Sequence, residues 1–321
     1  MKGSEATGSD SIRGLTPIFH HAVIIGAVAG DSHSESSIRP HFILFMGAAL
    51  ISLSPVWVRL VDVPPTVSAF YRVLIGGGAL AIFLVVTRRR LELSQRIVAI
   101  LLVGAVFFAL DLWLWHRSIN YIGPGLATLL ANFQVFFMML AGIAFLGQKP
   151  RPIQLVAVPL AILGLALLVG FEWQALTEGY RVGVVLALLT AMAYTGYLLS
   201  LRTARALSSH RLPTREVAII SLATALLLGI ATGIEGESLV IPTAVDAGWL
   251  FAYGILSHCI GWLLIASSLP KVTATEAGLA LLLQPALSFL WDILFFGREL
   301  TAIEALGAAI ALFAIYLGSR E

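Results

Sequence analysis

Beyond residue 40 the chain alternates between apolar runs of about twenty residues and short polar breaks, and few of the runs carry a charge near the middle. A helix rises about 1.5 Å per residue, so a run of ~20 apolar residues matches the ~30 Å hydrocarbon core of a bilayer. The pattern predicts ten helices, at 41–60, 66–87, 97–118, 123–146, 153–170, 182–201, 216–234, 248–268, 274–296 and 301–318. The breaks hold residues that stop helices or prefer water: VDVPP after the first, TRRRLELSQR after the second, GQKPRP after the fourth and SSHRLPTRE after the sixth. The expected fold class is an all-α polytopic membrane protein.

Composition strengthens this reading. Hydrophobic residues make up 59% of the 321 and charged residues 12%, against an apolar share of roughly 45–50% in soluble domains. Residues 1–40 depart from the pattern. Polar MKGSEATGSD and DSHSESSIRP flank IFHHAVIIGAVAG at 18–30, which is too short to span a bilayer. This segment is expected to be a disordered cytoplasmic extension, with His20 and His21 as solvated tail residues.

Net charge says little here; its placement says more. Arg88, Arg89, Arg90, Arg96, Lys149, Arg151, Arg202, Arg205, Arg211, Arg215, Lys271 and Arg320 gather at one side of the predicted spans. The other side holds Arg59, Arg117, Arg181 and Arg298 among Glu172, Glu178, Glu235, Glu237 and Asp246. Basic residues stay on the cytoplasmic side, which places both termini in the cytoplasm of a cell with this protein in its plasma membrane, the inner membrane of a bacterium.

Several chemistries are not signalled. The single cysteine, Cys259, lies in an apolar run and reads as a small buried hydrophobe. No glycine-rich loop ends in Gly-Lys-Ser/Thr, so direct drive by ATP is not expected. No His/Cys/Asp spacing suits a metal, and Ser52, Ser54 and Ser118 sit in no nucleophile-elbow pattern. The expectation is a non-enzyme without cofactor or nucleic-acid partner, whose partners are the bilayer and a small-molecule substrate.

The chain also repeats itself. LATLLANFQVFFMMLAGIAFLGQKP (126–150) and EAGLALLLQPALSFLWDILFFGREL (276–300) align at a spacing of 150 residues, which pairs Gln134 with Gln284 and Gly147 with Gly297. At the same spacing Ala157, Ala161 and Gly164 meet Gly307, Ala311 and Ala314, a small-residue stripe that lets helix backbones approach closely in lipid. Each half, 41–170 and 182–319, contains five spans around a connecting loop at 171–181. Because five is odd, the second half must insert upside down, and inverted repeats are characteristic of secondary transporters.

FYRVLIGGG (70–78), the paired endings FLGQKP and FFGREL, and the following ILGLALLVG and ALGAAIALFAIYLG together resemble the drug/metabolite transporter (DMT) superfamily, specifically its EamA-type exporters, over about 41–319. Members usually end the fourth and ninth helices with Gly-Glu and carry a proline in each. Here Gln148 replaces the first glutamate, Arg298 displaces Glu299, and only Pro285 is present. The resemblance implies metabolite export and a central cavity lined by the third, fourth, eighth and ninth helices, with the fifth and tenth peripheral.

Candidate site residues follow from depth along the helices. Asp111 and Arg72 share a level in the outer part of the bundle, where an acid and a base can offset each other's desolvation. Asp111 is either a site for a proton or a substrate amine or half of a static pair, and Asp292 is a second candidate partner at this gate. Nearer the midplane, Gln134, His258 and Gln284 are expected to contact a polar solute, with Trp115, Trp262 and Tyr194 as aromatic walls. Pro285 is the expected helix kink. Trp57, Trp173 and Trp249 read as interfacial anchors. The small-residue faces of the fifth and tenth helices are the expected homodimer contact. The functional expectation is alternating-access export of a small polar or amphipathic metabolite such as an amino acid, with proton coupling through Asp111. The alternatives are an uncoupled facilitator, an intramembrane enzyme and a non-transporting sensor.

Overall fold

The computed structural model describes residues 38–88, 93–146, 149, 151–169, 176–208, 213–268 and 274–319. The tail with His20 and His21 lies outside these residues, as do Gly147, Gln148 and Trp173. The described residues form helices and the turns between them: α1 (Ile38–Ser52), α2 (Ser54–Leu60), α3 (Pro65–Val86), α4 (Gln95–Ile122), α5 (Pro124–Ala131), α6 (Gln134–Leu146), α7 (Pro152–Val169), α8 (Glu178–Leu207), α9 (Thr214–Ile234), α10 (Ala244–Ala252), a π-helical segment (Tyr253–Gly261), α11 (Trp262–Ser268), α12 (Ala274–Phe296) and α13 (Ala302–Ser319).

Eight stretches among the described residues are long and apolar enough to cross a bilayer, and Leu281–Phe296 and Ala302–Gly318 are shorter apolar helices. Their outer faces carry exposed Val85, Val86, Val103, Leu226, Ile230 and Phe313. An apolar belt this extensive suits lipid rather than water.

Three local departures from regular helix shape the interior. The first predicted helix is broken at Leu53, because Pro55 in the first turn of α2 has no N–H to continue the ladder. The fourth is broken at Asn132–Phe133 with no proline present. There the Asn132 side-chain amide donates to the Thr128 carbonyl at 2.8 Å, competing with the backbone. Across Tyr253–Gly261 the turn widens to a π-helix, a form concentrated at functional positions. α12, by contrast, continues as helix through Pro285, the position of the expected kink.

Helices of the two halves pack in antiparallel pairs through small residues. Gly77 of α3 lies against Ser221 of α9, and Gly229 of α9 against Phe70 of α3. Gly104, Gly183 and Gly196 set α4 against α8, and Gly47 sets α1 against Gly261. Between α7 and α13, Gly164 faces Ala311 and Gly307 faces Leu168. Ala157, Ala161, Ala311 and Ala314 are all buried in this seam. The two stripes thus close on each other within one chain. The opposite faces of α7 and α13 present the exposed side chains Leu155, Ile162, Ile303 and Leu306.

Candidate functional site

α1, α2, α3, α4, α5, α8, α11 and α12 line an interior cavity of about 90 Å³. Arg72, Asp111, Trp115, Tyr194, Trp262 and Gln284 of the sequence-derived set all line it. Trp115 shares the cavity with Asp111 because the two are four residues apart on one helix. At roughly 10–15 Å³ of such volume per water-sized sphere, the space suits a solute of roughly six to nine non-hydrogen atoms.

The expected ion pair between Arg72 and Asp111 does not form. No Arg or Lys nitrogen among the described residues lies within 4.0 Å of the Asp111 carboxylate, although Asp111 is only 7% exposed. Its carboxylate makes no hydrogen bond among the described residues and faces the cavity. Arg72, 6% exposed, donates instead from Nη1 to the Tyr253 hydroxyl at 2.9 Å. Its guanidinium sits 5.7 Å from the Trp115 ring and 5.0 Å from the Tyr253 ring. Such cation–π contacts are worth about 0.5–2 kcal/mol and offset part of the cost of burying the charge. Each unpaired buried ion still costs several kcal/mol. Among the described residues the cavity thus carries one acid and one base, each without an ionic partner.

The rest of the lining combines polar and aromatic groups. Asn132 spends its amide N–H on Thr128 and keeps its side-chain oxygen as an acceptor. Gln284 makes no side-chain hydrogen bond among the described residues, and the Ser54 and Thr128 hydroxyls are buried without partners. Phe108 and Tyr194 are among the aromatic lining residues, with Phe108 stacked on Tyr197 at 4.4 Å and Tyr197 on Tyr194 at 5.8 Å.

Three sequence-derived candidates lie elsewhere. Gln134 starts α6, where its backbone carbonyl accepts from Thr195 at 3.3 Å. His258 stands behind Phe108, stacked at 5.9 Å, and its Nε2 contacts the Ser221 hydroxyl at 2.8 Å. Asp292 sits at one end of the bundle, where it accepts from the Gly125 N–H at 3.0 Å and pairs with Arg298 at 3.7 Å. There Asp292 holds α12 to the start of α5.

That end of the bundle is sewn together between the two halves. The Glu235 carboxylate receives Thr66 at 2.6 Å, Trp113 at 2.7 Å and Arg117 at 2.7 Å. Asp246 accepts from the Asp62 N–H at 3.0 Å, and the Tyr71 hydroxyl donates to the Leu239 carbonyl at 2.7 Å. Trp57 stacks on Trp249 at 5.5 Å. α4 has 28 residues, a rise of about 42 Å, so its last turns reach beyond a ~30 Å hydrocarbon layer to this polar belt.

Partial burial pushes the Glu235 carboxyl up, but the hydrogen bonds from Thr66 and Trp113 and the Arg117 guanidinium together hold it below its ordinary value of 4.5. A depressed carboxyl stabilises the folded protein above the unfolded value, and this contribution is lost as pH falls through the folded one. Melting curves of wild type and Glu235→Gln should therefore differ at pH 7 and converge in acid, as pH falls below 4.5 and through the depressed folded value. A difference that stays constant across that window would remove Glu235 from the account of this closure.

Sequence reasoning missed Tyr253, His116, Phe108 and Asn132. His116 offered a signal, being a second polar side chain in the apolar stretch that contains Asp111. Tyr253 offered none, since an uncharged tyrosine in a span is unremarkable until its neighbour is known.

A bundle of apolar spans around a buried cavity lined by charged, amide and aromatic groups is the architecture of a membrane protein that carries small solutes. The description "EamA-like transporter family" matches residues 39–170 and again 181–320. The chain belongs to the EamA-like transporter family, within the DMT superfamily, and is a multi-pass membrane transporter. It is 26% identical over 259 residues to the pseudopaline exporter CntI of Pseudomonas aeruginosa, covering 80% of this chain and 87% of that protein. It is 22% identical over 258 residues to an uncharacterized transporter of Haemophilus influenzae, covering 76% of this chain and 81% of that one. A solved crystal structure at 20% identity superposes with a TM-score of 0.62, covering 88% of this chain and 98% of its own, and so shares the fold.

Proposed function

We propose that this protein exports a small polar or amphipathic metabolite, such as an amino acid, across the bacterial inner membrane by alternating access. The observation that carries this is the pairing of an unneutralised Arg72 with an unneutralised Asp111 on the walls of one small cavity. A solute bearing both an acidic and a basic group would complete both charges at once, and aromatic side chains would cover its apolar part. The relative named as a pseudopaline exporter supports the outward direction.

Two further features support the mechanism. The family match falls once on each half, and α3–α9 and α7–α13 run antiparallel, as two inverted five-helix repeats would place them. The basic residues at the opposite end from Glu235 and Asp292 favour cytoplasmic termini. The sewn end then faces outward, and opening it would release the solute. Asp111 serves as the proton-coupling group.

Counterflow in proteoliposomes tests this, with each L-amino acid preloaded in turn. Uptake of at least one labelled amino acid, enhanced by a pH gradient, is the expected result. Uptake without any effect of the gradient would reduce the protein to an uncoupled facilitator. No uptake across the panel would overturn the amino-acid reading.

A further inference from the structure

Behind the cavity wall, Arg72 is the first member of a chain of hydrogen-bonded buried groups. Its Nη1 donates to the Tyr253 hydroxyl at 2.9 Å, and that hydroxyl lies 3.2 Å from His116 Nε2. His116 Nδ1 in turn lies 2.7 Å from the Leu112 carbonyl one turn back on α4. Tyr253 and His116 are both fully buried. A carbonyl oxygen only accepts, so Nδ1 carries the imidazole proton and Nε2 offers its lone pair. The Tyr253 proton then points at Nε2, and its oxygen is free to accept from the guanidinium. The Tyr253 hydroxyl and both His116 ring nitrogens are satisfied in one arrangement.

Local backbone structure makes the chain reachable. Tyr253 opens the π-helical segment. A Cβ on Gly254 would lie 2.7 Å from Ile75 Cβ, and one on Gly76 2.8 Å from the Gly254 carbonyl, so only glycines let this segment press against α3 beside Arg72. The relay occupies one terminal nitrogen of the guanidinium. Nε is buried without an acceptor, and Nη2 makes no hydrogen bond among the described residues. The Nε–Nη2 edge is one that can take a carboxylate through two parallel hydrogen bonds.

We infer that Tyr253 and His116 are positioning residues that lock the Arg72 guanidinium with its Nε–Nη2 edge presented to the carboxylate of the solute, while Asp111 faces the solute's ammonium end. This rests on the solute-carrier reading above and adds to it an orientation of the solute. Specificity follows: replacing the carboxylate by a neutral amide leaves the guanidinium edge poorly matched, whereas the ammonium end is unaffected.

Dissociation constants from ligand-induced melting shifts of the detergent-purified protein test it, using L-amino acids, their C-terminal amides and the corresponding decarboxylated amines as probes. Wild type should prefer the acid to the amide. Tyr253→Phe removes one oxygen and no carbon, and should weaken acid binding about tenfold while leaving amide and amine binding unchanged. His116→Gln, a second variant should the first fold poorly, should also narrow the acid-to-amide ratio. An unchanged ratio in a folded variant, or an equal fall for acid and amide, would make the relay purely structural and leave the carrier reading intact. If no amino acid shifts wild type, the amino-acid reading and the relay fall together.

Discussion

Replacing Asp111 by asparagine is expected to abolish solute uptake while raising the melting temperature. The two effects have one cause. Asp111 is 7% exposed and has no ionic partner among the described residues, so the folded protein carries its desolvation cost uncompensated. A neutral amide of almost the same shape carries less of that cost, and a gain of about 1–3 kcal/mol is the scale for relieving an unpaired buried charge. The solute's ammonium group, however, would lose the one buried carboxylate that lines the cavity among the described residues. Losing one partner of a buried ion pair costs about 3–5 kcal/mol, or more than a hundredfold in affinity. Stability exchanged for function in this way is typical of binding sites. Uptake in proteoliposomes and melting in detergent together decide the matter. A variant that melts lower yet still transports would return Asp111 to the role of a structural tie.

Gly164→Leu should produce a large loss of stability. Even a Cβ at Gly164 would lie 2.7 Å from the Ala311 backbone nitrogen and 2.9 Å from its Cα. Backbone atoms cannot swing aside as a flexible side-chain tip can, so α7 and α13 must separate along the seam. Overpacking costs about 1–3 kcal/mol for added methylenes in a tight core, and four carbons here should reach the upper end of that range or exceed it. Ile162→Leu, on the exposed face two residues away, is the control and should melt like wild type. If Gly164→Leu also melted like wild type, the two helices would not be packed as closely as the seam requires.

The comparison of sequence with structure turns on depth and azimuth. Depth was legible because the rise per residue of a helix hardly varies, and Arg72 and Asp111 do reach one cavity from separate helices. Azimuth was legible only on regular helix, as with Trp115 four residues after Asp111. Gln134 and His258 were expected beside the solute, yet neither lines the cavity. Gln134 directly follows the break at Asn132–Phe133, and His258 lies inside the π-helical segment. Both irregularities change the angle per residue, so extrapolating the 3.6-residue period past them points a side chain the wrong way.

The small-residue stripe shows the same division. Its period and its duplication at 150 residues are visible in the string of letters, whereas its partner is not. A stripe of alanine and glycine fits a second copy of the chain as well as another helix of the same chain.

By itself, the sequence determined the apolar spans, their order and the repeat that marks the family, because each follows from length, rise and composition. The tertiary structure alone decided that α7 meets α13, that Arg72 bonds to Tyr253 instead of Asp111, and that a histidine five residues beyond Asp111 completes a relay. Those outcomes depend on which helix faces meet and how local breaks rotate them, and contact between distant residues has no signature in the spacing of either one.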